Sequence, residues 1–246
     1  MSINTFQFYC DDFDSSIFGR LVCKLYIPKG DFKKYKHYIK KLKPDIIFCF
    51  TDYARENILF LEQNKFTYIS TRSSFKHEIN NQTQFRIDLG LRIKGLNDFD
   101  HLNMIPLLNK ITSEIMLSSR YYKDESLDRS KVMKLYQTWS SNSIIGGNAD
   151  EVIVLYEDKV IAGYVTLKIR NKGAYIDLIG IDSSFQGKGL GSVLINACKN
   201  YCVRNRIRQL FVITEQENIR AVRFYERNEF FFDDLQLIYH KHINRE

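Results

Sequence analysis

Gln186, Gly187, Lys188, Gly189, Leu190, Gly191 and Ser192 follow the apolar run IDLIGI and lead into a helical stretch ending near Arg204. Glycines let a backbone approach a ligand closely, and the free N–H groups and dipole at a helix start attract anionic oxygens. The segment is suited to cradle a pyrophosphate, although alternating glycines also serve tight packing between a strand and a helix. Spacing excludes two other cradles. There is no GxxxxGK[ST] loop, and the dinucleotide pattern GxGxxG fails because its third glycine would fall on Ser192 or on Leu194.

Downstream, NIRAVRFYERNEF places Asn218 at a helix start and Tyr225 two turns further along the same face. Read singly, Asn218 is a cap and Tyr225 a packing aromatic. Together with the glycine segment and the strand between them, they can face one cleft.

These residues carry a family resemblance. Gln186-Gly187-Lys188-Gly189-Leu190-Gly191 resembles the acyl-CoA loop Q/R-x-x-G-x-G/A of the GNAT superfamily of N-acetyltransferases, and Asn218, Ala221 and Tyr225 resemble its N-x-x-A-x-x-x-Y segment. The resemblance implies an α+β GNAT fold, a mixed central sheet with flanking helices, and acetyl-CoA as acyl donor. It implies CoA contacts from Ile179, Gly180, Ile181, Gln186, Gly187, Lys188, Gly189, Leu190, Gly191, Ser192 and Asn218. Backbone N–H groups around Ile179 to Ile181 would meet the developing oxyanion, and Tyr225 would protonate the departing thiolate. The base is left open: relatives carry Glu where this chain has Tyr175, so the role falls to Asp177, two residues along the same strand face, or to a water. Where the family has Gly before the final Phe, this chain has Glu229.

The N-terminal half is similar to one branch, the bacterial TDP-fucosamine acetyltransferases and related nucleotide-sugar N-acyltransferases. The similarity rests on Asp14-Ser15-Ser16-Ile17-Phe18-Gly19-Arg20, on PDIIFCF with KFTYIST, on Ser119-Arg120-Tyr121-Tyr122-Lys123-Asp124, and on Leu135 to Trp139 with Asn142-Ser143. It implies acetyl transfer by direct attack of the amine of a nucleotide-linked amino-deoxysugar of the TDP-4-amino-4,6-dideoxyhexose type, for surface polysaccharide biosynthesis, and a homodimer. Arg120 could clamp a diphosphate, stack on a base or form a surface ion pair. Trp139 reads as a core anchor. The rival readings are acetylation of another amine (a protein N-terminus, a polyamine or an aminoglycoside) and a non-catalytic CoA-binding module.

The elements that must position these groups alternate along the chain. A basic helix over Lys33–Lys43 ends at Pro44, an apolar strand covers Asp45–Thr51, a helix spans 52–64 and a strand 66–70. The polar stretch Thr71–Gln84 reads as a linker, so residues 1–82 form a small α/β N-terminal domain shaping the acceptor site and residues 83–246 the acetyltransferase domain. The second domain opens with a strand over 85–93, then helices over 96–108 and 129–142. Strands over 151–156, 160–169 and 174–181 follow, the first two joined by a hairpin at Glu157-Asp158-Lys159. A helix, a strand over 209–214, a helix over 218–227 and a strand within 230–239 close the chain, with no internal repeat visible.

Of 246 residues, 44% are hydrophobic and 26% charged, with 3 Pro and 12 Gly, proportions that exclude a disordered or fibrous chain. The net charge of +7 suits polyanionic partners, but the Lys33–Lys43 helix lacks aromatic residues on its charged side and reads as a solvated face rather than a nucleic-acid patch. The five scattered cysteines read as reduced thiols. No metal is expected, since Cys198 and Cys202 lack a second ligand pair. With neither a secretion signal nor a membrane span, the expected location is the cytoplasm.

Overall fold

Every residue of Ile46–Thr51 is buried, as an interior strand with both faces covered requires. Alternate residues enter different cores: Phe48 and Phe50 pack on one face of the sheet, Ile47 and Cys49 on the other. The computed structural model describes residues 5–28, 30, 32, 34–80, 91–94, 101–145, 147–171 and 173–243. The strands are β1 (Gln7–Cys10), β2 (Val22–Ile27), β3 (Ile46–Thr51), β4 (Thr67–Glu78), β5 (Leu91–Lys94), β6 (Glu151–Glu157), β7 (Val160–Arg170), β8 (Gly173–Ile181), β9 (Gln209–Glu215) and β10 (Phe231–His242). The helices are α1 (Asp12–Phe18), α2 (Tyr35–Leu42), α3 (Arg55–Gln63), α4 (His101–Met116), α5 (Arg120–Lys123), α6 (Arg129–Ile145), α7 (Leu190–Arg204) and α8 (Ile219–Arg227). Among the described residues they form one mixed sheet, in the order β1-β2-β3-β10-β4-β9-β8-β7-β6-β5, flanked by helices. This is the expected α+β class. No described helix is long and apolar enough to cross a membrane.

The order contains an arrangement that the sequence reading missed. The series β1-β2-α2-β3-α3-β4 recurs as β7-β8-α7-β9-α8-β10, each with an antiparallel pair followed by a parallel pair (β2–β3 and β8–β9). The last strand of each series crosses into the other: β10 pairs with β3, and β4 with β9. With Phe66 and Phe230 taken as equivalent, Arg72 corresponds to Gln236, and these two residues face each other where β4 and β10 pair. The bulged residues, Ile69 and Asp233, are equivalent as well. A pseudo-twofold axis therefore passes through the Arg72–Gln236 pair. The repeat survives in sequence only as the pattern F-x-E-x-N-x-F at Phe60–Phe66 and Phe224–Phe230.

Three expectations are corrected. Thr71–Glu78 is not linker but the middle and end of β4, with polar side chains satisfied across the sheet: Arg72 donates to Gln236, Ser73 donates to Gln216, and Glu78 accepts from Gln209. Cys10 and Cys23 face each other in the β1–β2 pair and are disulfide-bonded, whereas Cys49, Cys198 and Cys202 are buried free thiols. The helix expected over 96–108 runs instead to Met116. The boundary near residue 82 and most of the strand expected over 85–93 lie outside the described residues. Because β10 lies between β3 and β4, the segments before and after residue 82 share one sheet.

Glu229 shows how the closing turn is made without glycine. It adopts φ +64°, a left-handed conformation that costs an L residue roughly 1–2 kcal/mol. Its carboxylate lies 3.1 Å from the Lys199 ammonium, which also donates to the Asn228 carbonyl. Glu229→Gly should be near neutral, because relief of backbone strain offsets loss of a solvent-screened ion pair. Glu229→Ala keeps the strain and loses the pair, so urea unfolding should find it about 1 kcal/mol less stable than Glu229→Gly. Equal stabilities would mean that the turn is unstrained.

Candidate active site

The two halves differ where a ligand could enter. In the first, the β2–β3 pairing continues to Ile27 and Thr51, and the Thr51 hydroxyl closes the end by donating to the Ile27 carbonyl. In the second, β8 pairs with β9 only from Gly173–Gln209 to Ile176–Val212. The cause is a bulge at Asp177, where the β7–β8 register steps from Leu167–Ile176 to Thr166–Leu178. Ile176 and Leu178, which would share a face in a regular strand, instead enter cores on opposite faces. The Leu178 N–H is taken up by the Thr166 hydroxyl at 3.0 Å. Beyond Ile176, the β8 backbone at Ile179, Gly180 and Ile181 has no strand partner on the β9 side and lines the resulting cleft.

Gly187 and Gly189 sit at the cleft mouth with φ of +82° and +79°. A Cβ at either would meet nothing within 4 Å, so backbone conformation and open space, not packing, select glycine there. Gly189 is the N-cap of α7 and supplies no side-chain cap; the Ser192 N–H turns back to the Gly189 carbonyl at 3.0 Å, which leaves those of Leu190 and Gly191 for an external acceptor. At Gly191 a Cβ would meet the Phe224 ring at 3.0 Å, so this glycine lets α7 approach α8 closely. Gln186, Leu190 and Ser192 also line the cleft. The Lys188 side chain is held by Glu157 at 2.9 Å, so any ligand contact at this position falls to its backbone. Arg220, not singled out in the sequence, lines the cleft and donates to Gln186 at 2.9 Å, tying α8 to the glycine turn.

Asn218 caps α8, its side-chain oxygen accepting from the Ala221 N–H at 3.2 Å, and it lines the cleft as well. Tyr225 is buried against Phe75, Phe224 and Phe230, and its hydroxyl has no hydrogen-bond partner among the described residues. Burial, with Cys198 nearby, raises its pKa and keeps the phenol protonated. Asp177 accepts from the Trp139 indole at 2.8 Å, with the Lys168 ammonium at 4.0 Å. Burial raises its pKa above the ordinary carboxylate value against the opposing pull of Lys168. Trp139 thus orients Asp177, a role beyond that of core anchor.

The cleft extends past these groups to a wall built by the first half of the chain, including Lys24 and Tyr26 of β2, Phe50 of β3 and Arg72 of β4, together with Arg120 of α5. Its volume of about 1330 Å³ exceeds the roughly 300–1,000 Å³ of a single small-molecule pocket and leaves room for two ligands. Arg120 is no surface ion pair: it stacks on Tyr121 at 4.0 Å and donates to that phenol. Arg72 lies over Phe50 at 4.3 Å, and burial together with the charge of Arg120 pulls its pKa down to about 10. The sequence reading missed Arg72 because the surrounding polar run read as linker. No cluster of metal-ligating side chains occurs among the described residues.

Comparison with known proteins places this geometry. Residues 113–230 match the acetyltransferase (GNAT) family. The spore coat polysaccharide biosynthesis protein SpsD of Bacillus subtilis is 26% identical over 131 residues, 53% of this chain and 45% of that protein. The uncharacterized protein YxbD of the same organism is 30% identical over 91 residues, 36% of this chain and 56% of that protein. The chain therefore spans about half the length of these curated relatives. Among solved structures, a conserved Staphylococcus epidermidis protein of unknown function superposes with a TM-score of 0.62 at 13% identity, over 92% of this chain and 85% of that one. A GCN5-related N-acetyltransferase from Sphaerobacter thermophilus gives 0.60 at 11%, over 97% and 77%. A tandem GNAT protein from the clavulanic acid biosynthesis pathway gives 0.61 at 10%, over 92% and 76%. At these identities the structures speak for the fold.

Proposed function

We propose, from the premise that residues 113–230 of this chain are a GNAT-family acetyltransferase domain, that the protein is an N-acetyltransferase acting on a nucleotide-linked amino-deoxysugar of the TDP-4-amino-4,6-dideoxyhexose type. The observation that carries the reading is the continuity of the cleft, which runs from the glycine turn past Asp177 and Tyr225 to the cationic wall of the first half. In this reading residues 1–82 supply much of the acceptor wall and residues 83–246 the transferase chemistry. The name of the relative SpsD, a spore coat polysaccharide protein, supports a role in surface polysaccharide biosynthesis.

The open backbone at Gly187 and Gly189 and the uncapped start of α7 fit a diphosphate, as acetyl-CoA requires. The free edge of β8 would receive the pantetheine arm, and its N–H groups would stabilise the developing oxyanion. Asp177 would take a proton from the substrate's ammonium, freeing the neutral amine to attack, and Tyr225 would give one to the sulfur as the C–S bond breaks.

Thiol release from acetyl-CoA, measured against dTDP- and UDP-linked amino sugars and against polyamine, aminoglycoside and peptide amines, tests the reading. Release is expected with the nucleotide-linked sugars alone. Release with another class reassigns the acceptor, and silence across the panel despite CoA binding leaves a cofactor-binding module.

A further inference from the structure

We infer that Arg72 and Arg120 form a diphosphate-binding subsite in the acceptor half of the cleft, separate from the glycine turn that fits the diphosphate of CoA. The inference rests on the proposed cleft but not on the identity of the amine.

Both guanidiniums gather on one ring, their carbon atoms 4.3 Å and 5.2 Å from the Phe50 centroid. Neither has a carboxylate within 4 Å among the described residues. Their side-chain acceptors among the described residues are neutral: Arg72 gives Nε and one terminal nitrogen to the Gln236 carbonyl oxygen, and Arg120 one terminal nitrogen to the Tyr121 phenol. The Arg120 Nε is buried with no acceptor among the described residues. Burial and the neighbouring Arg120 charge work against the Arg72 cation, a cost that the counter-charge of a bound anion would offset.

Among the described residues none of the nearby acids bonds either guanidinium, although the charges of Asp14 and Glu215 favour the Arg120 cation. Asp11 and Asp14 pair with Lys24 at 2.6 Å and 3.2 Å, Asp14 also accepts from the Tyr121 phenol, and Glu215 accepts from the Ser70 hydroxyl and the Arg120 backbone N–H. Lys24 is therefore neutralised within the wall, while the guanidinium pair keeps donors for an anion. Planar forks suit phosphoryl oxygens, and two forks suit an anion with two adjacent charged groups. The position at the pseudo-twofold axis is consistent with this: Gln236, the counterpart of Arg72, carries no charge and serves to orient it.

Calorimetric titration of the full-length protein with dTDP and with UDP, in saturating CoA so that the glycine turn is filled, tests the subsite. Both nucleotides are expected to bind the CoA-saturated protein, and Arg72→Gln and Arg120→Gln should each weaken them by about tenfold or more while leaving CoA affinity unchanged. Absence of dTDP and UDP binding to the CoA-saturated wild type overturns the inference, as does unchanged nucleotide affinity in folded Gln variants. Should those variants fail to fold, Arg120→Lys decides: it keeps the charge and loses the fork, so a measurable weakening supports the subsite and an unchanged affinity refutes it. Arginine-dependent dTDP binding without transfer to any nucleotide-linked sugar would remove the acceptor assignment and keep the subsite. Transfer to such a sugar, with a KM indifferent to both arginines, would do the reverse.

Discussion

Tyr225→Phe is expected to lower kcat by about 10²-fold or more, the lower range for loss of a positioned general acid, with acetyl-CoA affinity little changed. The substitution removes one oxygen that bonds to no described residue, while the ring keeps its contacts with Phe75, Phe224 and Phe230. Thermal stability should therefore stay close to wild type, and the lost rate can be read as chemistry. The phenol is suited to donate because burial keeps it protonated across the neutral range. A thiol is ordinarily more acidic than this phenol, so full transfer to a free thiolate would run uphill, and the proton of Tyr225 has to move with C–S cleavage as charge develops on the sulfur. Stopped-flow measurement of thiol release under saturating substrates checks the expectation. An unaltered kcat would remove Tyr225 from the mechanism and shift protonation to water.

What the sequence revealed and what it hid separate along physical lines. The glycine turn could be read because positive φ is a local constraint, and Gly187 and Gly189 obey it. Asn218 could be read for the same reason, as capping is local. The exchange of β4 and β10 between halves depends on pairings far apart in sequence, which no local pattern encodes. Thr71–Glu78 read as linker because several of its polar side chains, Arg72, Ser73 and Glu78 among them, find their partners on β9, on β10 or in the turn after β9, far away in sequence. That misreading concealed Arg72 as a residue lining the cleft. Cys10 and Cys23 appear paired only once the β1–β2 register is known. Glu229 stands where the family has glycine, yet it takes the left-handed conformation that glycine favours and pairs with Lys199.

Asp177→Asn tests the other proton transfer, and its signature lies in pH dependence. A general base must be ionised to act, so kcat/KM should rise with pH through the Asp177 pKa until the carboxylate is fully formed. Burial shifts that pKa upward from the ordinary carboxylate range, which moves the acidic limb of the profile toward neutrality. The shift also makes the carboxylate a stronger base toward the amine. Asn preserves the shape and can still accept from the Trp139 indole through its carbonyl oxygen, so the local bulge should persist. The variant should lose about 10²-fold or more in kcat/KM at pH 7, and the limb belonging to the carboxylate should vanish. A second substitution separates orientation from basicity: Trp139→Phe removes the indole donor that holds the carboxylate and lowers its pKa. The acidic limb of that variant should therefore move to higher pH while the carboxylate remains. If Asp177→Asn retains the wild-type rate and the wild-type limb, the proton leaves through solvent and the bulge serves only to open the strand edge.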